Sequence, residues 1–185
     1  CKQGAYAPNL LFILDGLVKV YLDSPKNKNI NLKILSTSEF IGLSSLYDEK
    51  FFNYSTTALK DSVICLIEKT SFRKLLINNC AFSSEIIKRY CNNERELFHK
   101  IQSLGNKQMH GRIADTLIYL NEQSKKEGNI FLYLSRKDIA EFAGLSTETT
   151  VRLLTELKND HIIDINGKDI KVLQAESLKE ISQRG

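Results

Sequence analysis

The spacing of hydrophobic positions changes partway along the chain. Between Leu10 and Ile67 they come in short runs broken by polar turns. Residues 10–22, LLFILDGLVKVYL, form two apolar runs around Asp15-Gly16, which predicts a tight hairpin. Residues 25–29 read as a polar turn, and 30–35 alternate as a further strand. Residues 54–59 and 62–67 read as two more strands, with Val63, Cys65 and Ile67 on one face. Short strands with closely spaced turns predict a small antiparallel barrel or sandwich. The stretch 39–47, EFIGLSSLY, is apolar yet carries a glycine and serines, an odd composition for a plain strand. Thr70 or Ser71 is expected to cap a short helix through Leu75 and Leu76.

From about Ala81 the period becomes helical. Ile87, Tyr90, Glu94, Leu97, Ile101, Leu104 and Gln108 recur at alternating steps of three and four, a heptad seam interrupted by Glu94 and Gln108. Such a helix exceeds about 20 residues, more than packing on a small domain requires. Two uses are expected of it. Phe82, Ile86 and Phe98 would pack on the strand domain, and the seam would meet a second copy of the chain. Gly105-Asn106 predicts a break, followed by a helix over 111–123.

Residues 135–158, SRKDIAEFAGLSTETTVRLLTELK, predict two short helices joined by a tight turn. Ser135 and Asp138 have the spacing of a capping box. Ile139, Ala140, Phe142 and Ala143 give the first helix an apolar face, and Gly144 supplies the positive φ that ends it. Leu145 plugs the turn, and Ser146 or Thr147 caps the second helix. Leu153, Leu154 and Leu157 form a buried stripe there, leaving Thr147, Glu148, Val151 and Arg152 facing outward. That is a helix-turn-helix, a unit that lays its second helix in the DNA major groove. Apolar residues alternate on both sides of Asn166-Gly167, predicting a hairpin wing, and 129–134 offer a third strand to it. A dimer suits this reading, because two recognition helices one turn of DNA apart match a palindromic site.

Charge adds less than the total suggests. Of the residues behind the formal +4, positions 1–105 hold 14 Lys/Arg against 10 Asp/Glu, and 106–185 hold 12 against 12. The helix-turn-helix half is neutral, so an electropositive face must come from local placement of Arg136, Lys137, Arg152, Lys168 and Lys171. Cys1, Cys65, Cys80 and Cys91 have no metal-ligand spacing. Cys80 and Cys91 would stand about 16 Å apart along one helix, too far for a disulfide. Reduced, mostly buried thiols and a cytoplasmic location are the expectation. No signal peptide, membrane-length apolar run, catalytic triad or phosphate-cradling glycine loop stands out, which argues against an enzyme. The chain opens at Cys1 without a methionine, directly before a strand-like run, so a preceding portion is expected.

A small β-barrel, a long heptad helix and a winged helix-turn-helix, in that order, resemble the CRP/FNR family of bacterial transcription regulators. The resemblance runs along nearly the whole chain, through the segments FILDGLVKVY, EFIGLSSLY, GRIADTL (111–117) and LSTETTVRLL (145–154). It implies an α+β fold with a cyclic-nucleotide-binding-like jelly roll over 1–79, a dimerisation helix and hinge over 80–108, and a DNA-binding domain over 109–185. The dimer helix would use Ile87, Tyr90, Glu94, Leu97, Ile101 and Leu104. Glu148 matches the family glutamate that accepts from a cytosine amino group, and Arg152 the arginine that donates to guanine or phosphate. Thr147 and Val151 stand where members differ in the site they read. Ser135, Arg136, Lys137 and Ser146 are the expected phosphate contacts. An exposed Glu148–Arg152 ion pair is the plainer alternative for those two residues. Expected partners are a palindromic double-stranded DNA, a second copy of the chain and RNA polymerase. A ligand-sensing module whose winged helix contacts protein is the alternative function.

The departures from the resemblance concern the effector. Cyclic-nucleotide-binding members carry a glutamate after Phe-Ile-Gly and an Arg-Ser pair, where this chain has Leu43, and Tyr54 with Ser55. Without the arginine a cyclic phosphate loses its charge-assisted anchor, so cyclic AMP is not expected to bind. The candidate pocket comprises Gly42, Leu43, Ser44, Tyr54 and Ser55, with Leu97 and Phe98 from the long helix, bounded also by Phe40. An apolar ligand, haem or the protein's own side chains could fill it. His99 and His110 are the available haem ligands, although lone helical histidines are usually surface or core residues. No cofactor and no metal is identified.

Overall fold

The structure is a computed structural model that describes residues 1–24, 29–47 and 49–185; most of the polar turn expected at 25–29 lies outside them. Two compact units divide within the long helix. The first holds residues through His99 apart from a short stretch around Asn31, and the second runs from Lys100 to Gly185.

The first unit is built on β1 (Asn9–Asp15), β2 (Leu17–Leu22), β3 (Ile30–Ser36), β4 (Phe40–Ile41), β5 (Ser55–Ala58) and β6 (Val63–Glu68). They form two three-stranded sheets, ordered β4-β1-β6 and β3-β2-β5, with β1 antiparallel to β4 and β6 and β2 antiparallel to β5. The run LLFI at 10–13 in β1 has no polar gap because both its faces are covered. Ile13 joins Val18, Val20, Leu35 and Ile41 in one cluster, while Leu10 packs with Phe72 and Ile86 in another. Ile67 joins the second cluster and Ile64 the first. Val63, which shares a strand face with Cys65 and Ile67, is 57% exposed at the strand's start.

The expected Asp15-Gly16 hairpin is not formed. One residue separates β1 from β2, too few for a two-residue hairpin loop, and the strands enter different sheets. Gly16 turns this corner with φ of 137°, and a Cβ there would lie 2.9 Å from the Cα of Ser62. Opposite the corner, register shifts between Ile13 and Asp15, leaving Leu14 as a bulge.

Helix α1 (Lys69–Asn78) follows, and its N-cap is Glu68 rather than Thr70 or Ser71. Both hydroxyls donate backward to the Glu68 carboxylate, at 2.5 and 3.0 Å. Helix α2 (Cys80–Asn106) then runs 27 residues. Ile86 is buried and Phe82 half-buried against Phe72. Phe98, expected on the same side, is 62% exposed because it lies about 120° around the helix from Ile86. The expected break at Gly105-Asn106 falls two residues later, at Lys107 and Gln108, with Gly105 helical. Cys1, Cys80 and Cys91 are exposed rather than buried, and all four thiols are free. Among the described residues, no helix is long and apolar enough to cross a membrane.

The second unit contains α3 (Met109–Glu127), α4 (Arg136–Ala143), α5 (Thr147–Asn159), a two-stranded sheet of β7 (Ile163–Asn166) and β8 (Asp169–Val172), and α6 (Ala175–Arg184). Ile113, Leu117, Leu120, Phe131, Ile139, Phe142, Leu153 and Leu178 are almost wholly buried in it. Residues 129–134 do not add a strand. Ile130–Tyr133 is a 3-10 turn in which the Phe131 amide donates to the Asn129 side chain at 3.2 Å and the Ile130 amide to the Ser124 hydroxyl at 3.3 Å. Ile130 and Phe131 are buried in succession while Leu132 and Tyr133 are exposed, a pattern that strand alternation cannot produce. A polar clasp joins three helices: Asp115 of α3 accepts from Ser103 (2.6 Å) and Lys107 (2.9 Å) of α2 and its following break, and from Ser182 of α6 (2.5 Å).

Candidate nucleic-acid interface

Ser135 caps α4 in a complete capping box with Asp138, and Gly144 ends that helix at φ of 62°. Leu145 is half-buried in the turn, and Ser146 caps α5 by accepting from the Thr149 amide at 3.1 Å. Leu153, Leu154 and Leu157, with Thr150, anchor α5 in the core. Glu148, Val151 and Arg152 are thereby exposed and Thr147 half-exposed, all on the outer side of the helix. The Asn166-Gly167 hairpin is present as β7–β8, its two-residue loop being Gly167-Lys168. Gly167 has φ of 58° and Lys168 does not have a positive φ, the pattern of a type II′ turn.

The charged side chains are arranged differently from the Glu148–Arg152 pair considered above. Arg152 donates to Glu156 at 2.6 Å, and the other oxygen of Glu156 meets Nε2 of His110 at 3.3 Å. The Glu148 carboxyl is held below the usual carboxylate range by its own backbone amide and by the Ser146 hydroxyl. Glu148 lies in the first turn of α5, where the helix dipole also favours its charge. The i,i+4 spacing of Arg152 and Glu156 was legible in the sequence, but nothing there ranks Glu156 above Glu148 as the partner.

The expected phosphate contacts divide into two kinds. The amide and hydroxyl of Ser135 both donate to Asp138, at 2.8 and 2.6 Å, and the hydroxyls of Ser146 and Thr149 share a hydrogen bond at 3.0 Å. These serines are committed to caps. Arg136 reaches from α4 to the wing, donating to the Gly167 carbonyl at 2.6 Å, and burial lowers its pKa. Lys137 stands exposed with Glu141 at 3.8 Å, and Lys168 and Lys171 are exposed on the wing.

In the first unit, EFIGLSSLY resolves into β4, Gly42 at φ of 88° and a 3-10 turn over Leu43–Ser45. The Gly42 amide donates to the Tyr54 hydroxyl at 2.8 Å. Burial pushes the Tyr54 phenol up, and the Gly42 hydrogen bond pulls it back. Ser55 is buried, accepting from the Gln3 amide at 2.9 Å and donating to Asp23. Phe40 and Leu43 pack on the Phe72 cluster, and Ser44, Leu97 and Phe98 are exposed. Thus the Gly42 amide, the Tyr54 hydroxyl and the Ser55 hydroxyl already have partners from the chain itself. A cavity of about 500 Å³ lies elsewhere in this unit, lined by Leu11, Val18, Ile41, Thr56, Ser62 and Ile64 among others. Along α2, Ile87, Tyr90, Leu97 and Ile101 are 62%, 55%, 43% and 58% exposed, with Glu94 also exposed; Leu104 is half-buried near Gly144.

Residues 1–79 match the model of the cyclic nucleotide-binding domain, and 111–181 match that of the Crp-like helix-turn-helix domain. The chain belongs to the CRP/FNR family of transcription regulators. Its relatives include the probable transcriptional regulator flp of Lacticaseibacillus casei, 23% identical over 95% of this chain and 80% of that protein. The cAMP-activated global transcriptional regulator CRP of Pasteurella multocida is 28% identical over 91% and 83%. FixK2 from Bradyrhizobium japonicum shares the fold, with a TM-score of 0.84 at 19% identity over 97% of this chain and 90% of that one. This CRP/FNR protein is accordingly a DNA-binding transcription regulator, and the alternative of a winged helix that contacts only protein is not favoured.

Proposed function

We propose that the protein is a homodimeric, sequence-specific regulator that places α5 in the major groove of a palindromic operator. Thr147, Glu148, Val151 and Arg152 read base edges, with Glu148 accepting from cytosine, Arg152 donating to guanine and Val151 packing on a thymine methyl. Lys137 and Arg136 approach phosphates, with Ser135 and Ser146 supporting them through the helix starts they cap. The observation that carries the reading is the sidedness of α5: Leu153, Leu154 and Leu157 are buried, whereas Glu148, Val151 and Arg152 face solvent.

The exposed apolar stripe on α2 supports pairing with a second copy through Ile87, Tyr90, Leu97 and Ile101. The β domain answers to a signal other than cyclic AMP. Its support is Tyr54, whose hydroxyl occupies the Gly42 amide, and Ser55, whose hydroxyl is bound to Asp23. A cyclic phosphate entering there would displace both contacts and find no arginine in return. We place the protein in the cytoplasm, acting on transcription beside RNA polymerase and catalysing no reaction.

Selection of DNA from a random pool tests the reading. The wild type should enrich a palindrome with half-sites about one helical turn apart. Arg152→Ala should lose preference at one base pair per half-site, costing about 1–3 kcal/mol there. Enrichment of no sequence, or an unchanged preference in the variant, would refute direct readout.

A further inference from the structure

Glu156 is the one acidic side chain in contact with Arg152 among the described residues, and local electrostatics does not favour it. It occupies the last turn of α5, where exposed carbonyls disfavour a carboxylate, and it follows rather than precedes its basic partner. Near a DNA surface it would also repel phosphates. Its two oxygens are nonetheless divided between two helices. Oε1 takes the Arg152 Nη1 at 2.6 Å, and Oε2 meets His110 Nε2 at 3.3 Å. His110 is in the first turn of α3, directly after the Lys107-Gln108 break. Glu156 is half-buried beside Leu157, where its side chain has less room to turn than a surface glutamate.

We infer that Glu156 is a positioning residue for base readout, holding the Arg152 guanidinium in one direction and aimed itself by His110. The inference rests on the reading that Arg152 contacts bases. A forked guanidinium recognises guanine through two parallel bonds, so its plane must be set before docking or ordered during it. A partner that fixes the plane removes that ordering cost, at the expense of a negative charge close to phosphate. Specificity at one base pair is thus gained against overall affinity, and the His110 contact ties this setting to the α2–α3 break.

Two substitutions separate the charge of Glu156 from its geometry. Glu156→Ala removes both; Glu156→Gln removes the charge but keeps an oxygen that can accept from Arg152. Both residues suit a helix, and thermal melting checks that the variants stay folded. The probes are the sequence that the wild type selects from a random pool, the same sequence changed at the base pair Arg152→Ala ceases to prefer, and an unrelated duplex. Both variants should bind the unrelated duplex several-fold tighter. Discrimination between the first two probes should fall about five- to tenfold in Glu156→Ala and stay near wild type in Glu156→Gln, with His110→Ala falling part of the way. Full discrimination in Glu156→Ala, with Arg152→Ala losing it, would overturn the positioning role alone. If Arg152→Ala itself selects the wild-type sequence, the base-reading assignment fails first and this inference with it.

Discussion

Replacing Ile101 with alanine should weaken the proposed dimer while leaving the folded chain intact. Ile101 is 58% exposed in the single chain, so less than half of its apolar surface contributes to that chain's stability. Full burial of an isoleucine side chain is worth about 1.5–3 kcal/mol, and somewhat over half of that remains to be gained on pairing. A twofold seam contains each residue twice, which doubles the contribution to about 2–3 kcal/mol. Loss of all of this would raise the dimer dissociation constant roughly 30- to 150-fold, the upper bound for the alanine variant. Sedimentation equilibrium over a wide concentration range measures it, with Lys88→Ala, elsewhere on the exposed surface of α2, as the control. The α2 seam is wrong if Ile101→Ala dimerises as tightly as the wild type, or if the wild type stays single at every concentration. A comparable loss in Lys88→Ala would point to a different face of the helix.

Three further outcomes follow from local geometry. Gly16→Ala should cost about 2–4 kcal/mol in urea unfolding, because it adds a side chain at positive φ and drives a Cβ into the Ser62 backbone; a loss under about 1 kcal/mol would contradict the tight corner. His161→Gly should raise stability by roughly 0.5–1 kcal/mol. His161 sits at φ of 55° in a Schellman-type end to α5, with Ile162 N donating to the Leu157 carbonyl, and any loss of stability refutes this. Burial lowers Lys100 to about 8, with Asp115 nearby partly opposing it, and the amine donates to the Phe142 carbonyl. The unfolded chain then binds more protons than the folded one between about pH 8 and 10.5, so this group makes stability rise with pH across that window. Lys100→Met should flatten that slope in denaturant titrations, and an unchanged slope would show that Lys100 is not its source.

The helix-turn-helix was legible in the sequence because what defines it is local. Ser135 and Asp138 are three residues apart, Gly144 follows the helix it ends, and Ser146 caps the next within a turn. The wing was legible for the same reason, its loop lying within a few residues of Asn166-Gly167. The α2 stripe also followed from spacing alone. Tertiary structure decided what depends on distant partners. Leu10 through Leu22 looks like a hairpin until Ser62 comes up against Gly16 and the two strands join different sheets. Residues 129–134 alternate well enough for a strand, yet the buried positions offered to Ile130 and Phe131 are adjacent, and the chain winds into a 3-10 turn to fill them. Tyr54 reads as a missing arginine, but only the folded chain brings its hydroxyl to the Gly42 amide. Arg152 had two glutamates at equal spacing, and Glu148 is held by its own amide and Ser146 while Glu156 is shared with His110, 46 residues away. Spacing along a chain sets which contacts are within reach; the packing of remote segments sets which of them is made.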